Sequence, residues 1–180
     1  MINAHLSPRP SPITPGEVAP DFVLKDQNRA EWSLAEAVKK GDVVLCFYPL
    51  SFTGVCSTEM KCVDAEMASW QQKGAQVVGI SCDSFAVQKA FADSMGLKQP
   101  LLADMHRSVC KAYGLYWADL NVAQRGTVVI GKSPDGEGKV KFVEVKGPSD
   151  SFHASQARLI SKLLLPLGFD VGLAEVRKIS

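Results

Sequence analysis

A short segment in the first third of the chain holds a nucleophile beside side chains that could activate it. Cys56 is preceded by Pro49 and Thr53 and is followed by Glu59. The thiolate is the reactive form of cysteine, and it is stabilised where a helix begins, because unpaired backbone N–H groups and the positive end of the helix dipole lie there. Thr53 can aim its hydroxyl at the sulfur, and the rigid ring of Pro49 can shield the sulfur from water. We therefore expect Cys56 to be the most reactive of the five cysteines.

The carboxylate of Glu59 requires a cation nearby. Glu59 lies three residues after Cys56, which places both on one face of a helix. A carboxylate beside a thiolate alone would disfavour the thiolate, so a positive charge must lie between or beside them. Arg125 is the candidate, because it begins a predicted strand directly after a polar loop. Its planar guanidinium can bind a carboxylate and still donate to a sulfur or an oxygen.

The elements around this segment predict how it is positioned. Residues 42–48 form a short apolar run between Gly41 and Pro49, which is typical of a buried strand. Residues 57–73 carry apolar side chains at helical spacing and stop at Gly74, which predicts a helix. The same reasoning predicts further strands at 76–81, 101–103, 126–131 and 139–146, and further helices at 85–95, 106–113 and 154–167.

Alternating strands and helices predict an α/β domain, with a mixed central sheet covered by helices on both faces. The turn cluster at 133–138 predicts that the last two strands pair antiparallel. Residues 1–15 hold four of the ten prolines and predict an irregular N-terminal arm that is mobile or lies on the surface. We expect residues 16–180 to form a single domain.

Composition excludes several classes of protein. The chain has 180 residues, of which 46% are hydrophobic and 22% charged, and its formal charge is +1. This balance argues against disorder and gives no basic excess for binding nucleic acid. No apolar run is long enough to span a membrane, and no secretory signal is readable. We expect a cytoplasmic protein that binds neither nucleic acid nor a membrane.

Cysteine usage supports the same compartment. The five cysteines are odd in number and include no CxxC pair, so reduced thiols are a better expectation than a disulfide framework. The three histidines are scattered and do not lie near cysteine pairs. We therefore predict no metal site and no cofactor. A thiol protease is the weakest interpretation, because no histidine has an evident reason to lie near Cys56.

The spacing Pro49-x-x-x-Thr53-x-x-Cys56 resembles the active-site motif of the peroxiredoxin family. Supporting segments follow in the family's order: GEVAPDF at 16–22, GISCDS at 79–84, PLLAD at 100–104, AYG at 112–114 and RGTVVI at 125–130. The resemblance covers roughly residues 16–167. The stretches FYPLSFTGVC at 47–56 and QRGT at 124–127 are most similar to the one-Cys alkyl hydroperoxide reductase E type, and next to the peroxiredoxin Q group, also named bacterioferritin comigratory protein.

The resemblance implies a thioredoxin-like fold and a peroxidase without metal, haem or flavin. Cys56 would be the peroxidatic cysteine, reducing hydrogen peroxide, alkyl hydroperoxides or peroxynitrite and becoming a sulfenic acid. Thr53 and Arg125 would hold the peroxide, Pro49 would shield the thiolate, and Glu59 would orient Arg125. A peroxide sensor or relay, which passes oxidation from Cys56 to a partner protein, is the alternative.

A second thiol must reset the sulfenic acid. The peroxiredoxin Q pattern places a resolving cysteine five residues after the first, but that position is Lys61 here, and Cys62 follows it. Six helical residues rise about 9 Å, whereas a disulfide needs Cα atoms within about 7 Å, so Cys62 could react only if the helix unwound. Cys82, after a strand end, is the other candidate, since Cys46 and Cys110 fit packing positions.

The remaining route is a one-Cys cycle. In that cycle a thioredoxin, a glutaredoxin-like protein or a low-molecular-weight thiol would reduce Cys56. Proteins that resemble this one are often homodimers, so a homodimer is expected from the resemblance.

Overall fold

A computed structural model describes residues 2–147 of the protein. Within this range the helices and strands follow each other in the order β1 (Val23–Lys25), β2 (Glu31–Ser33), α1 (Leu34–Lys40), β3 (Asp42–Phe47), α2 (Gly54–Gln72), β4 (Ala75–Ser81), α3 (Phe85–Met95), β5 (Leu101–Ala103), α4 (Ser108–Ala112), β6 (Tyr116–Trp117), β7 (Val122–Ala123), β8 (Gly126–Ile130) and β9 (Val140–Val145).

Five strands form the central sheet, in the order β5-β4-β3-β8-β9. β4 pairs parallel with both β3 and β5, whereas β8 pairs antiparallel with both β3 and β9. The sheet is therefore mixed, and its last two strands form the predicted antiparallel pair. The predicted α/β class is confirmed.

Helices cover both faces of this sheet. On β3, Val44 and Cys46 point to the face that packs against α2 and α3, which we name the α2 face. Val43, Leu45 and Phe47 point to the opposite face, packed against α1 and α4, which we name the α4 face. Because side chains alternate along a strand, one short strand contributes to two separate apolar cores.

Helix α2 begins earlier than the sequence pattern predicts. It starts at Gly54 and not at residue 57, with Thr53 in the N-cap position. Gly54 and Val55 are weak helix formers, which is why their types alone favoured a loop. The earlier start places Cys56 within the first turn, where its backbone N–H has no partner inside the helix.

The remaining differences concern short elements. The sequence pattern did not predict the β1–β2 hairpin, α1 or the β6–β7 hairpin, because each has few residues and weak periodicity. Helix α4 spans only Ser108–Ala112 of the predicted 106–113. The predicted helix at 154–167 lies outside the described residues. None of the helices in the described part of the chain has both the length and the apolar character needed to cross a membrane.

The N-terminal arm contains neither helix nor strand over residues 2–15, yet it does not lie loosely on the surface. Ile13 is completely buried in the core of the α4 face. Its backbone N–H donates to the carbonyl of Tyr113 over 3.0 Å. Asn3 and Arg9 add hydrogen bonds to Val23 and Lys111, so the arm is fixed to the domain by contacts that its proline-rich composition does not predict.

Candidate active site

Strand pairing brings together the two segments that the sequence separates. β3 ends at Phe47, and Phe47 pairs with Gly126 at the start of β8. Because these strands are antiparallel, the residue before β8, Arg125, lies beside the end of β3. The loop from Pro49 to Thr53 leaves that same end and leads into α2.

Arg125 makes contact with both Cys56 and Glu59. Its Nη2 donates to Cys56 Sγ over 3.5 Å. Its Nη1 forms an ion pair with Glu59 Oε2. The sequence prediction that one guanidinium bridges a thiol and a carboxylate in this segment therefore agrees with the geometry. Only 1% of Cys56, 2% of Glu59 and 4% of Arg125 is exposed to solvent, so water screens these charges little.

Burial and the attraction between Glu59 and Arg125 have opposite effects on the pKa of each side chain. Burial raises the pKa of Glu59, and the positive charge of Arg125 offsets part of that rise. Burial by itself would lower the pKa of Arg125, but its interactions with Glu59 and Cys56 outweigh burial and raise the pKa above its ordinary value. Arg125 is thus a permanent cation next to the sulfur.

Two further charged residues, which sequence reasoning missed, act on Glu59. Phe142 of β9 points to the α2 face, and by alternation Glu144 and Lys146 follow it. Lys146 lowers the pKa of Glu59, whereas Glu144 raises it. Lys146 is buried, and its backbone N–H donates to the carbonyl of Arg125 over 3.0 Å. The sequence did hold a signal for Glu144 and Lys146, because both occupy alternate positions of a predicted strand whose other residues are largely apolar.

Thr53 and Pro49 occupy the loop before α2. The Thr53 hydroxyl donates to the Leu50 carbonyl over 3.0 Å, which leaves its oxygen lone pairs available to accept a hydrogen bond. Pro49 is partly buried and directly follows the apolar run of β3. Their contact with substrate stays a prediction. Phe52 holds a left-handed conformation with φ of 64°, its ring packed against Phe91.

Asp83 holds this loop from outside, a role that the sequence reading did not assign. Its Oδ2 accepts a hydrogen bond from the backbone N–H of Ser51 over 2.8 Å, and another from the Ser81 hydroxyl over 3.0 Å. The Tyr48 hydroxyl lies 3.5 Å from the Ser51 hydroxyl. A polar residue directly after β4, at the edge of the sheet where this loop lies, was the available signal.

The other cysteines differ in where they lie relative to Cys56. Cys62 lies in the same uninterrupted helix, and six residues of helix rise about 9 Å. Cys82 packs against the α4 face, and its Sγ lies 3.9 Å from Cys110 Sγ. Cys46 and Cys110 are buried, as predicted, and burial raises the pKa of Cys46.

Comparison with known proteins now adds to this geometry. A model of the AhpC/TSA family matches residues 15–143. The chain belongs to that family. Alkyl hydroperoxide reductase E of Mycobacterium tuberculosis is 33% identical over 137 residues, covering 75% of this chain and 87% of that protein. The chloroplastic 2-Cys peroxiredoxin BAS1 of Hordeum vulgare is 32% identical over 127 residues, covering 65% of this chain and 60% of that protein.

Solved structures of family members have the same fold. The crystal structure of peroxidoxin BcpB from Mycobacterium tuberculosis superposes with a TM-score of 0.72 at 29% identity, covering 84% of this chain and 96% of that one. Enterococcus faecalis AhpC gives a TM-score of 0.74 at 26% identity, covering 83% and 90%. The predicted thioredoxin-like fold is confirmed, and the protein is a peroxiredoxin, a thiol-dependent peroxidase whose catalytic cycle uses a thiol reductant.

Proposed function

We propose that Cys56 is the peroxidatic cysteine of this peroxidase. The observation that carries the proposal is the contact of the Arg125 guanidinium with both Cys56 Sγ and Glu59. A buried cation beside the sulfur favours the thiolate over the neutral thiol. Position in the first turn of α2 favours the same form, because the positive end of the helix dipole lies there.

The reaction follows from these contacts. The thiolate attacks one oxygen of the peroxide, an S–O bond forms, and the O–O bond breaks. Cys56 becomes a sulfenic acid, and the leaving oxygen takes a proton from solvent to give water or an alcohol. Negative charge develops on that oxygen in the transition state, where Arg125 can donate to it. We assign Thr53 the role of accepting a hydrogen bond from the peroxide hydrogen.

Burial of Cys56 sets a size limit on the oxidant. The side chain is 1% exposed, but its neighbours from Phe52 to Val55 are exposed. A thin layer of loop therefore separates the sulfur from solvent. We propose that Pro49 and this layer admit hydrogen peroxide, alkyl hydroperoxides or peroxynitrite and exclude bulky oxidants.

Replacing single thiols tests the assignment. Cys56→Ser should abolish peroxide consumption, whereas the matched variant Cys62→Ser, in the same helix, should keep the rate within about twofold. Trapping with dimedone and mass spectrometry should place the sulfenic acid on Cys56. Unchanged turnover in Cys56→Ser would refute the proposal.

For the reductive half of the cycle we propose a one-Cys route. Two observations support a route that uses neither Cys62 nor Cys82: Cys62 is six helical residues from Cys56, and Cys82 lies against Cys110. A thioredoxin, a glutaredoxin-like protein or a low-molecular-weight thiol would then attack the sulfenic acid. Steady-state assays with each reductant should show many turnovers. One equivalent of peroxide, followed by a stable mixed disulfide with a protein, would instead indicate the relay.

We also propose that the protein works as a homodimer in the cytoplasm, with residues 16–180 as its single domain. Exposed apolar side chains near the active-site loop support a dimer contact: Leu50, Phe52, Val55 and Val87. Five free cysteines suit a reducing compartment. Analytical ultracentrifugation of Phe52→Ser should show dissociation if this patch forms the contact, and cell fractionation tests the location.

A further inference from the structure

A pair of thiols that the peroxidase site does not use lies on the other side of the sheet. Cys82 follows the end of β4, and Cys110 lies within α4. Their Sγ atoms are 3.9 Å apart, which is close to van der Waals contact. Cys82 is partly exposed, whereas Cys110 is buried.

We propose that Cys82 and Cys110 form a second redox pair, which peroxide closes into an intramolecular disulfide. An S–S bond is about 2 Å long, so the two sulfurs must approach by roughly 2 Å. Rotation of the Cys82 side chain supplies such a movement, because this residue lies in an irregular bend outside helix and strand. The pair needs no contribution from Cys56, so it stands independently of the proposed peroxidatic role.

The partial exposure of Cys82 sets the order of steps. Cys82 meets the peroxide first: its sulfur takes one oxygen, the O–O bond breaks, and water or an alcohol leaves. Cys110 Sγ then attacks the Cys82 sulfenic acid, the S–S bond forms, and the hydroxyl departs as water with the Cys110 proton. Two thiols and one peroxide thus give one disulfide, together with two waters or with one water and one alcohol.

Polar groups at the pair include the Arg107 carbonyl, which accepts from Cys110 Sγ over 3.4 Å, and the carboxylate of Asp104. The Asp104 carboxylate and the two sulfurs lie within 4.8 Å of one another. This carboxylate can carry the proton that Cys110 loses in the second step. At rest, the hydrogen bond with Cys82, burial and the negative charge of Asp104 all raise the pKa of Cys110. Cys110 is therefore a poor first nucleophile toward peroxide, and Cys82 reacts before it.

The same three side chains could be read as metal ligands, but the contacts of Asp104 favour the redox pair. Its Oδ2 accepts from the backbone N–H of Cys110 over 2.8 Å, and its Oδ1 accepts from that of Val109 over 3.3 Å. The Ser108 hydroxyl donates to Oδ1 over 3.4 Å. At rest the carboxylate thus caps α4, a short helix whose first N–H groups need acceptors.

The test uses the full chain with Cys56→Ser, so that the peroxidatic thiol cannot consume the oxidant or form mixed products. The reduced protein is titrated with hydrogen peroxide, alkylated, and digested for mass spectrometry without reductant. We expect a peptide linked between Cys82 and Cys110, loss of both thiols together, and one peroxide consumed per bond. Dithiothreitol should restore both thiols fully.

Two further variants act as controls in the same background. Cys62→Ser, another partly buried thiol, should leave the link unchanged. Cys110→Ser should prevent the link and leave a Cys82 sulfenic acid that dimedone traps. Because Cys110 is buried and this variant could fold poorly, Cys82→Ser serves as the second: it should leave Cys110 unoxidised at the same dose.

Three outcomes would overturn the proposal. The first is that Cys82 and Cys110 both remain open to alkylation at peroxide doses that fully oxidise Cys56 in the wild-type chain. The second is a link from Cys82 to a different cysteine. The third is stoichiometric binding of zinc, added as a probe, by a pair that never links under peroxide, which would make the cluster a metal site.

Discussion

The two faces of the sheet each hold buried sulfur, but in opposite electrostatic settings. On the α2 face, Cys56 Sγ accepts a hydrogen bond from the guanidinium of Arg125. On the α4 face, Cys110 Sγ lies against a second thiol and near the carboxylate of Asp104. The first setting places a positive charge beside the sulfur, and the second places a negative charge near it. Burial is common to both, so the sign of the neighbouring charge distinguishes the proposed nucleophile from the pair of thiols.

Removing the cation should break this contrast most severely. Arg125→Met should lower kcat/KM for peroxide by about 10²–10³-fold, because the transition state loses a preorganised donor. Stopped-flow oxidation of Cys56 measures the rate, and ultraviolet absorbance of the thiolate measures its population. The Cys82–Cys110 link should form in this variant as in the wild type. A rate within twofold of the wild type would remove Arg125 from the mechanism.

Glu59→Gln should have a smaller effect, on the order of tenfold or about 1.4 kcal/mol of transition-state stabilisation. Glu59 forms an ion pair with Arg125, so its proposed role is to position the guanidinium. The loss should appear in kcat/KM without any change in which sulfur oxidises. A variant that kept the full rate would contradict the positioning role of Glu59.

A double variant separates positioning from stability. Arg125→Met alone leaves Glu59 buried without its partner, which should cost roughly 3–5 kcal/mol in the free energy of unfolding. Glu59→Gln/Arg125→Met removes both charges and should recover most of that loss in a urea titration. It should not recover the peroxidase rate, because the donor to Cys56 is still missing. Recovery of both would assign Arg125 a structural role only.

Asp83 links the two regions, and its removal should lower kcat/KM for peroxide a few-fold. It directly follows Cys82 and accepts a hydrogen bond from Ser51 in the active-site loop. Asp83→Ala frees this loop, so kcat/KM should fall about threefold, well under the tenfold that corresponds to about 1.4 kcal/mol. Asp135→Ala, an acidic residue in the distant turn before β9, is the control and should match the wild type.

The smallest expected effect concerns the pH dependence of stability. Burial raises the pKa of Asp104 above its ordinary 3.8, so the folded state binds this proton more readily than the unfolded chain. Asp104 therefore contributes to the free energy of unfolding below about pH 3.8, and this contribution is lost as the pH rises through the raised pKa of the folded state. Asp104→Asn should therefore flatten the decline of the free energy of unfolding over that window. Hydrogen bonds from Ser133 and Glu137 lower the pKa of Asp135. Asp135→Asn should therefore change the pH dependence of the free energy of unfolding in the opposite direction.

Much of the site could be predicted because its members lie close together in the chain or carry a distinctive side chain. Pro49, Thr53, Cys56 and Glu59 lie within eleven residues, and helical spacing fixes the relation of the last two. Arg125 could be proposed because a lone arginine begins a strand after a polar loop. Lys146 and Asp83 leave a weaker signal in the sequence, because their relevance depends on which strand face they occupy and which loop they meet.

Local pattern by itself determined the alternation of strands and helices, the α/β class and a cysteine at the start of a helix, because these depend on residues within one or two turns of each other. Only the tertiary structure decided that the Cys82 sulfur lies against that of Cys110. That contact depends on how the strands and helices pack, because Cys82 follows β4 and Cys110 lies in α4, and because side-chain alternation along the strands divides the two apolar cores between opposite faces of the sheet.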